Sequence, residues 1–169
     1  MGGEGQAALS PLLFPRREEK LLSLKARVRL VREPGPRKNA VAVTTPADVA
    51  KVLKAAGHAA ADREHFVCLH LTARRTLLSM EVVSIGTVSE TFVHPREVFK
   101  GAILANAESI IVAHNHPSGD PGPSRDDLSV TRRLLDAGRL IGIELVDHVI
   151  IGADGYVSLK ERGLLTGAE

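Results

Sequence analysis

The sequence predicts an α/β domain built on a mixed β-sheet. Three observations carry that prediction: apolar runs of strand length interleave with amphipathic stretches of helix length, Pro and Gly punctuate their boundaries, and no internal repeat interrupts the order. At 169 residues, 44% hydrophobic and 25% charged, the chain has the size of one compact domain with a substantial core.

Residues 1–24 open with a Gly-, Ala- and Pro-rich run through Pro15 and read as a poorly ordered tail. In residues 25–40, Ala26, Val28 and Leu30 alternate with Arg27 and Arg29, which predicts a half-exposed strand over Lys25–Arg32, followed by a turn at Pro34–Pro36. Thr45-Pro46-Ala47-Asp48 supplies an N-cap, a first-turn proline and a first-turn acid, so a helix starts there, with Val49, Val52 and Leu53 inward, and ends near Gly57. Phe66–Leu71 and Leu77–Ser84, parted by a polar turn, predict a hairpin of two buried strands. A short strand is expected at Glu90–Val93. His94-Pro95 opens a second helix with Val98, Phe99, Ala102 and Ile103 inward, running to about Ala107. Ser109–Ala113 is apolar throughout and reads as a central strand. Pro117–Pro123 holds three prolines and two glycines and must be a loop. A third helix follows over Ser124–Ala137 with Gly138 as its stop, and Leu145–Ile151 is the last central strand.

Composition narrows the function classes. The single cysteine, Cys68, excludes a disulfide framework and a thiolate zinc knuckle, and inside an apolar run it reads as an inert core thiol. The first residues lack an export signal, Gln6 stands where a myristoylation motif wants Ser or Thr, and no run of about 18 apolar residues occurs. A cytoplasmic protein with no membrane contact is expected. Residues 16–38 hold nine Lys or Arg against three Glu, a net +6 that leaves −4 for the rest of a +2 chain. That segment suits a polyanion such as nucleic acid, or equally a solvated basic strand, since aromatic content is only 3% and offers no stacking platform.

The chemistry gathers at His114-x-His116, seven residues, then Ser124-x-x-Asp127. Residues two apart on a strand face the same side, so the two imidazoles can meet at one point as the strand ends. Seven histidines would give roughly 0.3 such pairs by chance, so the pair needs its context. The stiff loop returns the chain to a helix N-terminus, where Asp127 can reach back as a third ligand and leave the fourth tetrahedral place for water, as catalytic zinc requires. Ser124 and Asp127 also read as a simple capping box, and Asp120 and Asp126 are competing acids. Asp120, inside the loop, suits a turn role. A proton acceptor is needed besides the ligands. Glu64, Glu81, Glu90 and Glu108 are the candidates, and Glu64 stands out because it immediately precedes an apolar strand. Asp147-His148 reads either as a pair orienting a ligand or as a structural histidine. His94 reads as a helix cap, and His58, His65 and His70 receive no role.

Glu64, His114-x-His116 and Ser124-x-x-Asp127 together resemble the JAMM motif of the JAB/MPN metalloprotease superfamily. REHFVCL (63–69), VSIGTVS (83–89), VHPREVFKGAI (93–103), AHNHPSGDPGPS (113–124) and LVDHVIIG (145–152) resemble the RadC family within it, across about residues 40–165. The resemblance implies a JAB/MPN sandwich related to cytidine-deaminase-like folds, with a catalytic domain over 41–165. It implies Zn2+ held by His114, His116 and Asp127, Glu64 as general acid/base, and Ser124 steadying the tetrahedral intermediate. It also implies a peptide or isopeptide substrate, a ubiquitin-like protein among the candidates; a homodimer is a separate expectation, attached to the alternative of a non-catalytic interaction module. RadC proteins were named for DNA repair, but the paired DNA-binding helices of longer members have no counterpart in the roughly 40 residues ahead of this domain. Deaminases need H-x-E with P-C-x-x-C, which one cysteine cannot supply. The metallo-β-lactamase pattern fails at Ser118 and Gly119. The leading expectation is a JAMM-type metallopeptidase; the alternatives are a nucleic-acid-directed protein and a non-catalytic interaction module.

Overall fold

The computed structural model describes residues 41–86 and 93–166. The expected tail, the Lys25–Arg32 strand and the Pro34–Pro36 turn lie outside the described residues, as does most of the Glu90–Val93 strand; Val93 is a buried loop residue. The elements run α1 (Pro46–Ala55), β1 (His65–Leu71), β2 (Leu77–Ile85), α2 (Pro95–Leu104), β3 (Ser109–Asn115), α3 (Arg125–Ile141), β4 (Glu144–Ile151) and β5 (Tyr156–Ser158). The sheet order is β2-β1-β3-β4-β5. β1 pairs antiparallel with both β2 and β3, β3 pairs parallel with β4, and β5 pairs antiparallel with β4. A parallel pair needs a crossover of a dozen or more residues, which the 17 residues of α3 supply. The sheet is mixed, as the sequence predicts.

Strand alternation divides the core between the two faces. Phe66, Cys68, Ile110 and Val112 pack with Val98, Phe99 and Ala102 of α2 and Val130 and Leu134 of α3. Val67, Leu69, Leu71, Ile111 and Ala113 pack on the other face with Val49 and Leu53 of α1. Both faces of β1 and β3 are therefore covered, which is why these strands read as unbroken apolar runs rather than as alternation. Thr45 caps α1 as predicted: its side chain accepts from Asp48 N–H, and the Asp48 carboxylate returns the bond to the Thr45 backbone. Hydrogen bonds from the Thr45 hydroxyl and from the Thr45 and Thr44 amides hold the Asp48 carboxyl down at about 2. His94 likewise caps α2 by accepting from Arg96 N–H. Cys68 is buried, and desolvation pushes its thiol far up, so it remains neutral.

Several expectations need correction. β2 is half-exposed rather than buried because it stands at the sheet edge. Helix α2 stops at Leu104, not Ala107, since Asn106 turns left-handed at φ 51°. Its inner face centres on Val98, Gly101 and Ala102, so Ile103 lies 55% exposed. Gly138 does not end α3, which continues to Ile141 and closes on Gly142 at φ 82°. A side chain at Gly138 would strike the Ile143 carbonyl and the Phe99 ring. That glycine is a packing contact. β5 was not anticipated; three residues give too short a pattern to read.

Candidate metal centre

β3 carries both histidines to the sheet's end. The alternation that sends Val112 toward α2 and α3 sends His114 the same way, and His116 follows one step beyond the strand. The His116 amide donates to the Ile151 carbonyl at 2.8 Å, so the ladder to β4 fixes its backbone. His114 is fully buried and stacks on Phe66 with ring centroids 5.9 Å apart. The loop beyond is stiffened by contact with the β4–β5 turn. Ala153 N–H donates to the Gly119 carbonyl, and Gly152 packs so closely on Gly119 and Pro121 that a side chain there has no room.

Ser124 then caps α3, and its side chain accepts from Asp127 N–H at 3.1 Å. Asp127 divides its carboxylate. Oδ2 accepts from the Ser124 amide and hydroxyl, both at 2.7 Å, whereas Oδ1 lies 3.1 Å from His114 Nε2. The capping-box and ligand readings of Asp127 are therefore compatible, because each uses a different oxygen. Asp127 is 1% exposed. Burial alone would raise its carboxyl, but the adjoining His114 and the Ser124 bonds overcome that and hold it well below the ordinary carboxylate range.

His114 Nε2 and His116 Nε2 stand 3.0 Å apart, and His116 Nε2 is 3.5 Å from Asp127 Oδ2. A tetrahedral zinc with ligand bonds of about 2.1 Å has ligand-to-ligand edges of about 3.4 Å. His114 Nε2 stands at 3.0 Å from His116 Nε2 and 3.1 Å from Asp127 Oδ1, near that edge, and one donor atom from each of the three residues lies within 4.8 Å of the others. His116 Nδ1 lies 2.7 Å from the Asp120 carbonyl, which can only accept, so the proton sits on Nδ1 and Nε2 presents a lone pair. A bare ring nitrogen and an anionic carboxylate converging in a largely dry corner repel one another unless a cation joins them. The donor set fits a divalent ion. His114, His116 and Asp127 are placed to hold one, and they are the only such group of three or more among the described residues.

The other candidates separate cleanly. Asp120 is a turn residue: its Oδ1 accepts from Gly122 N–H at 2.8 Å. Asp126 is exposed on the first turn of α3. The Glu81 carboxylate lies beside His70 and Gly101. Glu108 is exposed ahead of β3, at the strand end opposite the site, and Glu90 lies outside the described residues. Glu64 precedes β1, half-buried, its carbonyl accepting from Gly86 N–H at 2.9 Å. The β1–β3 register, Val67 opposite Ala113, sets Glu64 level with His116 when continued three residues.

Three residues at the site went unassigned or undecided in the sequence. Asn115, between the histidines, faces the other way: its amide donates to the carbonyls of Ala61 and Arg63, at 3.1 and 3.0 Å, and its oxygen accepts from His65 N–H at 2.8 Å. It thus grips the chain on both sides of Glu64. His148 is fully buried, with Nε2 2.9 Å from His114 Nδ1, and Thr131 reaches its Nδ1 at 2.6 Å. Asp147 is not its ring partner. Asp147 turns to the opposite side, accepting from Ser158 Oγ–H, Lys160 N–H and His148 N–H. The strand pattern separates neighbours by face, and reading 147 and 148 as a unit ignored it.

Residues 43–164 match the model of the RadC-like JAB domain. Among curated proteins, the chain is 56% identical over 104 residues to UPF0758 protein STH371 of Symbiobacterium thermophilum, covering 62% of this chain and 44% of that protein. It is 55% identical to a UPF0758 protein of Syntrophomonas wolfei subsp. wolfei over the same shares, and 54% identical to one from Desulfitobacterium hafniense, covering 62% and 46%. The chain thus spans less than half the length of these relatives. With the family model covering most of its length and the sheet and helices that such a domain requires, the chain belongs to the RadC family of the JAB/MPN superfamily.

Proposed function

We propose that this domain is a zinc-dependent metallohydrolase of the JAMM type that cleaves an amide or isopeptide bond in a peptide substrate. The observation that carries the reading is the convergence of one donor atom each from His114, His116 and Asp127 to within 4.8 Å of one another, with His114 Nε2 at 3.0 and 3.1 Å from the other two, near the edge of a tetrahedral ligand set. Bound by these three residues, zinc would supply Lewis acidity toward a carbonyl oxygen and bring a water's pKa into the neutral range.

The remaining work falls to the chain. Glu64 accepts the proton of the attacking water and returns it to the departing amine, a shuttle that needs a carboxylate outside the ligand set. Asn115 supports that role by tying down Ala61, Arg63 and His65 around it. Ser124 donates to the oxygen that gains charge. Its oxygen is held by Asp127 N–H, while its hydroxyl hydrogen, bonded to Asp127 Oδ2 at 2.7 Å, would exchange that bond for one to substrate. A cleft of about 470 Å³ borders His116 on the Asn115 side, with Ala50, Lys54, Ala59 and Tyr156 in its walls; Glu64, His114, Ser124 and Asp127 do not line it. A ubiquitin-like partner is one candidate substrate. No helix among the described residues is long and apolar enough to cross a membrane. The cytoplasmic location we propose rests on the lone cysteine, Cys68, which suits a reducing compartment.

Zinc stoichiometry on purified protein, followed by profiling on peptide, isopeptide and oligonucleotide libraries, tests the reading. One ion per chain and chelator-sensitive amide cleavage are expected. Cleavage that persists after complete metal removal overturns it, and so does cleavage confined to oligonucleotides.

A further inference from the structure

A buried hydrogen-bond chain runs from α3 through β4 to the ligand strand, and its directions follow from simple donor counting. The Thr131 hydroxyl owns one hydrogen and has two partners, the Asp127 carbonyl at 2.6 Å and His148 Nδ1 at 2.6 Å. A carbonyl only accepts, so Thr131 gives its hydrogen there and its oxygen must accept from His148 Nδ1–H. His148 is fully buried in the hydrophobic layer against Phe66, 5.6 Å between ring centroids, where burial favours the neutral ring with its single proton. Its Nε2 therefore holds a lone pair, facing His114 Nδ1 at 2.9 Å. His114 must donate from Nδ1, which strips the hydrogen from Nε2, the nitrogen turned to His116 and Asp127.

We propose that Thr131 and His148 are positioning residues: the Thr131 hydroxyl selects the tautomer of His148, and His148 selects the tautomer of His114 that can bind a metal ion. The inference rests on the proposed zinc site. It adds that α3 contributes twice, as Asp127 to the ion and, one turn later, as Thr131 acting through His148 of β4 on the ligand His114 of β3. The opposite relay, with His148 protonated on Nε2, would put a hydrogen on His114 Nε2 and block the site. Within the hydrogen-bond set of His148 the hydroxyl is the group that selects the metal-binding tautomer, against the pull of Asp127 Oδ1, 3.1 Å from His114 Nε2, for a hydrogen there. Outer partners of metal ligands commonly weigh about 10- to 100-fold in affinity.

The test uses the full chain with Thr131→Val, which keeps shape and loses the hydroxyl, and Thr131→Ser, which keeps the hydroxyl. Zinc affinity is measured by competition with a chromophoric chelator, and the His148 tautomer of the metal-free protein by long-range 15N–1H NMR. Expected are His148 protonated on Nδ1 in the parent and on Nε2 in Thr131→Val, with zinc affinity about 10- to 100-fold lower in the valine variant and restored in the serine variant. A merely structural Thr131 would lower the unfolding temperature in Thr131→Val and leave both readouts unmoved, which overturns the proposal. Equal weakening in Thr131→Ser and Thr131→Val overturns it as well. If Thr131→Val does not fold, the parent spectrum decides, because Nε2 protonation of His148 there is incompatible with the relay. Should the parent bind no zinc, the proposed hydrolase fails, while the two NMR tautomers still support or refute the relay.

Discussion

Asn115 offers the sharpest test of how the sheet serves the site. Asn115→Ala removes three hydrogen bonds from a side chain that is 1% exposed: two to the carbonyls of Ala61 and Arg63 and one from His65 N–H. At about 1 kcal/mol net for each bond the loss is about 3 kcal/mol. Arg63 is exposed and Ala61 half-buried, so their carbonyls regain water and the net cost falls to about 2–3 kcal/mol. That corresponds to a roughly 30- to 150-fold rise in opening of the 61–65 segment. Native-state amide exchange read at His65 measures the opening directly, and urea denaturation measures the global part. Zinc binding should survive, because the His114 and His116 backbones are held by the ladder to β4 and not by this side chain. Hydrolysis should fall through kcat, with Glu64 no longer fixed. A His65 amide exchanging at the parental rate, with a stability change under about 0.5 kcal/mol, would refute the clamp.

Glu64→Gln should abolish turnover yet retain one zinc per chain by metal analysis; full activity in that variant removes the proton-shuttle assignment. Acidification should destabilise the metal-free protein through its buried imidazoles. Burial holds His70 down at about 4 and holds His148 well below its ordinary value, so the unfolded chain takes up protons that the native one refuses. The stability is fully present above about pH 6.5 and drains as pH falls below it, His70 alone accounting for about 3 kcal/mol by pH 4. Denaturation midpoints that stay level from pH 7 to about 4 would contradict this. Gly138→Ala should destabilise by about 1–3 kcal/mol despite the better helix former, because the added carbon meets the Ile143 carbonyl and Phe99. A rise in unfolding temperature would show the contact to be slack.

Much of this molecule is legible in its sequence, and the illegible parts share a cause. α1 and α3 announce their starts because Thr45 with Asp48 and Ser124 with Asp127 satisfy orphan amides locally. β1 and β3 announce themselves because both faces are covered. Gly138 misled because a glycine that permits close packing and one that ends a helix look alike in the sequence; only the neighbours, Phe99 and Ile143, separate them. The metal donors are visible because 14 consecutive positions, 114 to 127, contain all three. Their helpers are not. Asn115 acts on residues about fifty positions back, and Thr131 and His148 meet across 17 positions and two elements. Such contacts are set by strand register and helix placement, which no local pattern encodes.

The split carboxylate of Asp127 ties two equilibria together. One oxygen secures the opening turn of α3 and the other is placed to hold an ion, so an ion bound there would suppress fraying of that turn, and a frayed turn would release it more readily. By reciprocity, a substitution on the solvent side of the first turn, such as at Arg125 or Asp126, would tune metal retention without touching a single ligand.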